Sequence, residues 1–328
     1  MKLLKIGKYP PIEGGISSQS YWISRGLGKK DEEIDIVTNS LETEGEYRER
    51  ITDDFEDNYQ PENIEVFNTD PFIKNDFIPY SPEYTQKLIS LSLKVIEKDR
   101  PDVIVSNYLL PYGTAASHVS RKTNIPHVLK HAGSDITRLL NSRNYNTVLE
   151  NILKESKSII TVPGLAEFFS EYKSEDQIFE AKKSINTEIF SPEIEGIDLD
   201  KWFLNRNAGK DFLYLGKLRR SKGILNILRS FKQIDEEFNF YIVGNGPYKD
   251  RIISYIKENN LEEKVFIENF MPPWKVPHLL RSMDCVFVIE EKFNVGIHSS
   301  RVIKESMGVG TPVITNKKPE EYGCDDKI

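Results

Sequence analysis

Phe212-Leu213-Tyr214-Leu215-Gly216-Lys217-Leu218-Arg219-Arg220-Ser221-Lys222-Gly223-Ile224-Leu225 holds the fold in miniature. A short apolar run, a glycine and a cationic turn precede Ile224, Leu225, Ile227, Leu228 and Phe231, which recur at helical spacing. A strand without polar alternation is buried on both faces, as in a parallel sheet covered by helices. The same reading extends outward to Val103-Ile104-Val105, Ser158-Ile159-Ile160-Thr161-Val162, Tyr241-Ile242-Val243 and Cys285-Val286-Phe287-Val288-Ile289. Helical segments lie between them. Ser81-Pro82 reads as an N-cap and first-turn pair opening a helix whose Leu88, Leu91, Val95 and Ile96 share a face. Alternating strands and helices give a doubly wound α/β sheet, and the series occurs twice.

The pattern lapses between Glu180 and Gly209, around Ser191-Pro192-Glu193-Ile194-Glu195-Gly196. That places one domain over residues 1–190 and a second over 191–328, in keeping with a length of 328 residues. Residues 31–57 hold twelve acidic and two basic side chains, which predicts a solvated, mobile loop, with an acidic docking surface as the alternative.

The 44 Lys and Arg against 51 Asp and Glu leave a net charge of −7, so no diffuse basic field exists to hold nucleic acid and any anion site is local. Two cysteines, Cys285 and Cys324, are too few for a disulfide framework and lack metal-ligand spacing. No metal or other cofactor is therefore expected, and a reducing, cytoplasmic setting fits. The three lysines of residues 1–8 run straight into Tyr9-Pro10-Pro11, which is no signal peptide, and no run of 18 apolar residues offers a membrane span.

Five strand-end constellations invite a chemical reading. Pro11-Ile12-Glu13-Gly14-Gly15-Ile16 lies between the first strand and a helix containing Trp22, Ile23 and Leu27. Gly14 and Gly15 there serve either a ligand approaching the helix N-terminus or a tight turn. Gly216 to Gly223 places Lys217, Arg219, Arg220 and Lys222 at a strand's carboxyl end, where an open α/β sheet binds phosphorylated ligands. A solvated surface is the alternative. Gly244-Asn245-Gly246-Pro247 is a sharp strand exit at the same edge. Glu305, between Ser300-Arg301 and Gly308-Val309-Gly310-Thr311-Pro312, either caps a helix start, the simpler reading, or accepts ribose hydroxyls. His131, before Gly133-Ser134-Asp135, ends a strand and either faces a ligand or is satisfied in the core.

Together, in this order, these residues resemble the retaining group-1 glycosyltransferases of GT-B architecture (glycosyltransferase family 4-like). The resemblance covers nearly the whole chain. It implies two Rossmann-like domains facing a cleft, with a nucleoside-diphosphate sugar, UDP first and GDP second, held mainly by the C-terminal one. The acceptor, a glycan or lipid-linked sugar, would fall to the N-terminal domain, including residues 39–63 and 107–113. Gly14 and Gly15 would border the donor diphosphate, and Lys217 and Lys222 would neutralise it. Gly216 and Gly246 would line the pocket, Glu305 would hold the ribose, and His131 would touch the donor sugar. Charge stabilisation of the leaving diphosphate is then the main catalytic term, with front-face attack and no protein nucleophile.

Three departures from the family pattern stand out. Lys217 replaces the usual Arg, exchanging a fork for a point charge. The usual second glutamate falls at Ile297, leaving Glu291 to take that role, unless Ser300-Arg301 belongs with a branch whose helix opens on a Ser-x-Lys type of start. Only thirteen residues follow Thr315, so the C-terminal domain reads as truncated or as burying its sheet edge against a partner. These departures support an alternative, a catalytically weak GT-B-like binding subunit acting through a partner protein. An epimerase on the same architecture needs an additional acid/base set that the sequence lacks. Lys87, Lys94, Lys98 and Arg100 could offer a peripheral membrane contact or simply a solvated helix face.

Overall fold

The computed structural model describes residues 1–10, 12, 14–39, 61–69, 82–131, 133, 135–136, 145–181, 184–203, 205–290 and 300–316. They form two units divided between residues 183 and 184, within the stretch read as a linker. The expected boundary at 190/191 therefore moves. Phe190 is buried in the second unit, and a Cβ on Gly308 would lie 3.0 Å from its carbonyl oxygen.

Unit 1 contains β1 (Lys2–Ile6), α1 (Gly15–Gly28), β2 (Glu33–Thr38), β3 (Ile64–Asn68), α2 (Pro82–Lys98), β4 (Val103–Asn107) and α3 (Thr114–Thr123). It continues with β5 (His127–Lys130), α4 (Asn146–Glu155), β6 (Ser158–Thr161), α5 (Ala166–Phe169) and β7 (Ile178–Glu180). The seven strands lie in the order β3-β2-β1-β4-β5-β6-β7, and every pair is parallel. One apolar cluster joins Leu4, Ile6, Leu88, Val95, Ile104 and Val119, and another joins Leu109, Leu129, Leu149, Leu153, Ile159 and Phe169.

β2 corrects the expectation of a mobile loop over 31–57. Ile34, Ile36 and Val37 are buried, and Asp35, which hid the strand, is buried with its carboxylate 3.3 Å from Lys2 Nζ. An acidic side chain is admissible inside a sheet when a cation meets it. Residues 40–57 lie outside the described residues.

Unit 2 contains α6 (Leu199–Trp202), β8 (Lys210–Leu215), α7 (Ile224–Phe231), β9 (Phe238–Val243), α8 (Lys249–Glu258), β10 (Val265–Glu268) and α9 (Val276–Arg281). β11 (Cys285–Val288), α10 (Arg301–Gly308) and β12 (Val313–Thr315) complete it. Its parallel sheet runs β10-β9-β8-β11-β12. Phe231 of α7 packs against Phe212, Phe238, Phe240 and Phe287, with ring centroids 4.6–5.4 Å apart. The helical spacing of apolar residues thus becomes the core contact of this unit.

In each sheet the strand order reverses direction once, between β1 and β4 in unit 1 and between β8 and β11 in unit 2. The loops leaving adjacent strands diverge there, opening a crevice at their carboxyl ends where ligands of open α/β sheets bind.

Candidate functional site

At the crevice of unit 2, the turns that leave β8 and β9 are joined backbone to backbone. Gly216 N–H donates to the Val243 carbonyl at 3.0 Å, Leu218 N–H to Asn245 at 2.9 Å, and Tyr248 N–H to Leu218 at 3.1 Å. A Cβ on Gly244 would lie 1.9 Å from the Gly216 oxygen, and one on Gly246 would lie 2.5 Å from the Leu218 oxygen. Both glycines are therefore required by packing between the two turns, a reason that applies to Gly246 before any ligand is considered. Tyr214 donates its hydroxyl to the Lys217 carbonyl at 2.8 Å, fixing the first residue of the cationic turn.

Arg220–Lys222 forms a 3-10 turn, and Gly223, at φ 63°, reverses the chain into α7. Lys222 is not simply a surface charge. Its ammonium lies 2.6 Å from Glu290 Oε1, and the Glu290 side chain is wholly buried. Glu290 follows β11 and is tied to the chain beyond β12: its N–H donates to Asn316 Oδ1 and its carbonyl accepts from Asn316 Nδ2, both at 3.1 Å. An ion pair thus spans the crevice from the β8 side to the β11 side. Glu290 is the residue that sequence reasoning passed over in favour of its neighbour Glu291. The available signal was its place directly after the apolar run 285–289 at a strand's carboxyl end. Glu291 and Ile297 lie outside the described residues.

Glu305 corrects the capping reading. It is the fifth residue of α10, buried, and its Oε1 accepts from Arg301 Nε at 3.0 Å, one helical turn away. Ser300 is the N-cap residue, with no cap hydrogen bond from its side chain. The structure thus groups Ser300, Arg301 and Glu305 on the start of one helix, and Gly216, Lys217, Lys222 and Glu290 at the adjoining strand ends of the same sheet.

Two carboxylate–cation pairs at one edge have a definite chemical capacity. The ammonium has three donors and the guanidinium five, so each retains donors beyond the bond to its carboxylate. Phosphate oxygens suit such donors, and carboxylate oxygens suit the hydroxyls of a ribose or hexose. No group of three His, Cys, Asp or Glu side chains among the described residues is arranged to hold a metal ion.

Gly14, Gly15 and His131 belong to unit 1. Gly14, at φ 107°, is the N-cap residue of α1, and a Cβ on Gly15 would meet nothing within 4 Å. His131 follows β5 and is buried. Its Nε2 is 2.8 Å from Thr161 Oγ1, and its Nδ1 accepts from Gly133 N–H at 3.0 Å. Since Nδ1 accepts, the neutral ring carries its proton on Nε2 and donates to the threonine. Both nitrogens are engaged inside unit 1. Nearby, Asp135 accepts the N–H of Leu109 at 3.0 Å and that of Ile136 at 3.1 Å, holding the corner after β4 where Tyr108 has φ 90°.

Comparison with known proteins bears on this arrangement. Residues 198–321 match the family model of glycosyl transferases group 1. An uncharacterized glycosyltransferase of Methanocaldococcus jannaschii is 27% identical over 97% of this chain and 79% of its own length. Among solved structures, sucrose-phosphate synthase from Thermosynechococcus elongatus superposes with a TM-score of 0.65 at 16% identity, over 96% of this chain and 81% of that one. HepE of Anabaena, solved with UDP and glucose, gives 0.63 at 17% identity, over 96% and 80%. At such identities the structural likeness establishes the fold. Among the described residues no helix is long and apolar enough to cross a membrane.

Proposed function

We propose that this chain, a member of the group 1 glycosyltransferases with the GT-B fold, moves a hexose-like sugar from a nucleoside diphosphate to a glycan or lipid-linked acceptor with retention of configuration. UDP is the first candidate for the nucleotide and GDP the second, and the setting is the cytoplasm. The observation that carries this reading is the crevice of unit 2, where Lys222 of the Gly216–Gly223 turn meets the buried Glu290, with the Arg301–Glu305 pair on the helix between β11 and β12 of the same sheet.

In this reading Lys217 and Lys222 receive the diphosphate, Glu305 receives ribose hydroxyls, and Glu290 acts as a positioning residue that holds the Lys222 ammonium at the crevice. Negative charge grows on the leaving diphosphate as the glycosidic bond breaks, and a fixed cation lowers that barrier without reorganising. The acceptor proton passes to the leaving phosphate. His131 contacts the donor sugar after exchanging one of its two internal partners. The test is sugar-nucleotide turnover by Lys222→Ala against wild type: a loss of at least about tenfold is expected for a group at the charge-bearing atoms, and unchanged turnover rejects the reading.

A second reading, a binding subunit that acts with a partner protein, is favoured by one observation. Glu290 neutralises Lys222, which leaves the turn less cationic than its sequence implies. Purification as an obligate complex, with no donor turnover by the isolated chain, would select it.

A further inference from the structure

What fixes Glu290 in the unit 2 crevice lies outside the cationic turn. β11 is paired with β8 at Cys285 and Val286, and with β12 at Val286, Phe287 and Val288. Toward its carboxyl end β11 is therefore carried from the β12 side. β12 ends at Thr315, opposite Val288. At the next residue a side chain continues the ladder: Asn316 Oδ1 accepts the Glu290 N–H and Asn316 Nδ2 donates to the Glu290 carbonyl, both at 3.1 Å. A primary amide presents an acceptor and a donor side by side, so it can match both polar groups of one main-chain residue. The orientation of this amide follows, because the reverse would set donor against donor and acceptor against acceptor.

The consequence reaches the cation. The Glu290 side chain is wholly buried and its Oε1 lies 2.6 Å from Lys222 Nζ, whereas the lysine side chain keeps 20% of its surface exposed. A buried carboxylate and its cation need excellent geometry to offset their desolvation. A main chain clamped at both its N–H and its carbonyl supplies that geometry, since it leaves the carboxylate little freedom to swing. Lys222, by contrast, follows a 3-10 turn and carries its charge on a flexible four-carbon stem. The glutamate is the rigid half of the pair, and its rigidity originates in Asn316.

We infer that Asn316 is a positioning residue of the donor site, which acts through the Glu290 main chain to hold the Lys222 ammonium in place for a diphosphate. The inference rests on the donor reading and adds to it a residue from beyond β12, remote in sequence from the cationic turn. Its test uses the full chain and the variants Asn316→Ala and Asn316→Leu, the second keeping most of the side-chain volume. Asn316 is exposed, so both are expected to fold. UDP, GDP and ADP are titrated by calorimetry, and uridine, guanosine and adenosine are followed by saturation-transfer NMR. In parallel, lysines are acylated with limiting acetic anhydride, and Lys222 is compared with the exposed Lys154 of unit 1 by peptide mass spectrometry.

Both variants are expected to bind the nucleoside diphosphate about tenfold more weakly, the scale of one lost hydrogen bond to a charged group, with nucleoside binding unchanged. Acylation of Lys222 is expected to rise about threefold or more, because an ammonium released from its carboxylate gives up its proton more readily. Equal losses for nucleoside and nucleoside diphosphate, which a general loosening of unit 2 would give, overturn the inference. So does Lys222 acylation that is unchanged in both variants. Acylation requires no nucleotide: a wild-type chain that binds none of the three nucleotides rejects the donor reading, and the acylation result still decides whether Asn316 positions Lys222.

Discussion

The two units share a strand order about the switch point but furnish it differently. In unit 2 the crevice groups are charged and paired with one another, Lys222 with Glu290 and Arg301 with Glu305. In unit 1, among the described residues, Tyr9 Oη, Thr38 Oγ1, Asn39 Nδ2 and Asn107 Oδ1 are neutral buried atoms without a hydrogen-bond partner. A charge cannot be left alone in a buried crevice, because desolvation costs several kcal/mol per ion. It must arrive with its partner. A neutral amide or hydroxyl can wait unpaired at a cost of roughly 1–3 kcal/mol. A doubly wound sheet thus offers the same place twice, and the side chains furnish it with ion pairs in one unit and with neutral buried polar atoms in the other.

The largest effect expected from this contrast is on Lys222. Lys222→Met leaves the Glu290 carboxylate buried without its cation, which is expected to lower the stability of unit 2 by roughly 3–5 kcal/mol at neutral pH. The double variant Lys222→Met with Glu290→Met should recover most of the stability, and denaturant melts of the single and double variants decide the matter. A loss that is unrelieved in the double variant breaks the contrast.

Unit 1 has its own pH dependence, with cations as the cause. Burial, followed by Lys173, lowers the pKa of His127 to about 4; its Nε2 is 2.7 Å from Ser106 Oγ and its Nδ1 has no partner among the described residues. Burial, followed by Lys130, lowers that of Lys5 to about 7, with Ser20 O and Ser24 Oγ each 3.0 Å away on α1. In both cases the unfolded chain binds the proton more tightly. Stability therefore falls as pH drops from about 10.5 toward 7 for Lys5, and from about 6.5 toward 4 for His127, the latter by roughly 3 kcal/mol. Hydrogen exchange resolved by unit should show unit 1 opening first below pH 6, and exchange in unit 2 rising equally would contradict this.

How much of this was legible in the sequence follows the same physics. The apolar runs at 103–105, 158–162, 212–215, 241–243 and 285–289 coincide with β4, β6, β8, β9 and β11, because a strand covered on both faces has no polar alternation to confuse it. β2 was hidden because Glu33 and Asp35 interrupt its apolar residues, and the compensating Lys2 lies on the neighbouring strand. The cationic turn was legible as a local cluster. Its partner Glu290 was not, since 68 residues separate it from Lys222 and only the β8–β11 pairing brings the two strands together. Glu305 was visible as a residue but not as the partner of Arg301, because its helix begins four residues earlier than a capping role requires.

Two smaller changes sharpen the contrast further. Gly244→Ala places a methyl group against the Gly216 oxygen at a φ of 153°, and should destabilise unit 2 by roughly 1–3 kcal/mol or more while leaving unit 1 unaffected. Calorimetric melting of the variant checks this. Thr38→Val has the opposite sign, a gain of about 1 kcal/mol in unit 1, because it removes an unpaired hydroxyl and keeps the shape. Denaturant melts that show a loss would break the distinction between a paired and a waiting crevice.

The claim that unit 2 holds a nucleotide is tested most directly by titration calorimetry of UDP, GDP and ADP into the full chain, repeated with Glu305→Ala and Lys222→Ala. The account predicts micromolar binding of one nucleotide, with UDP the foremost candidate, and its loss in both variants. Failure of a folded wild-type chain to bind any of the three, or equal binding by both variants, would contradict it.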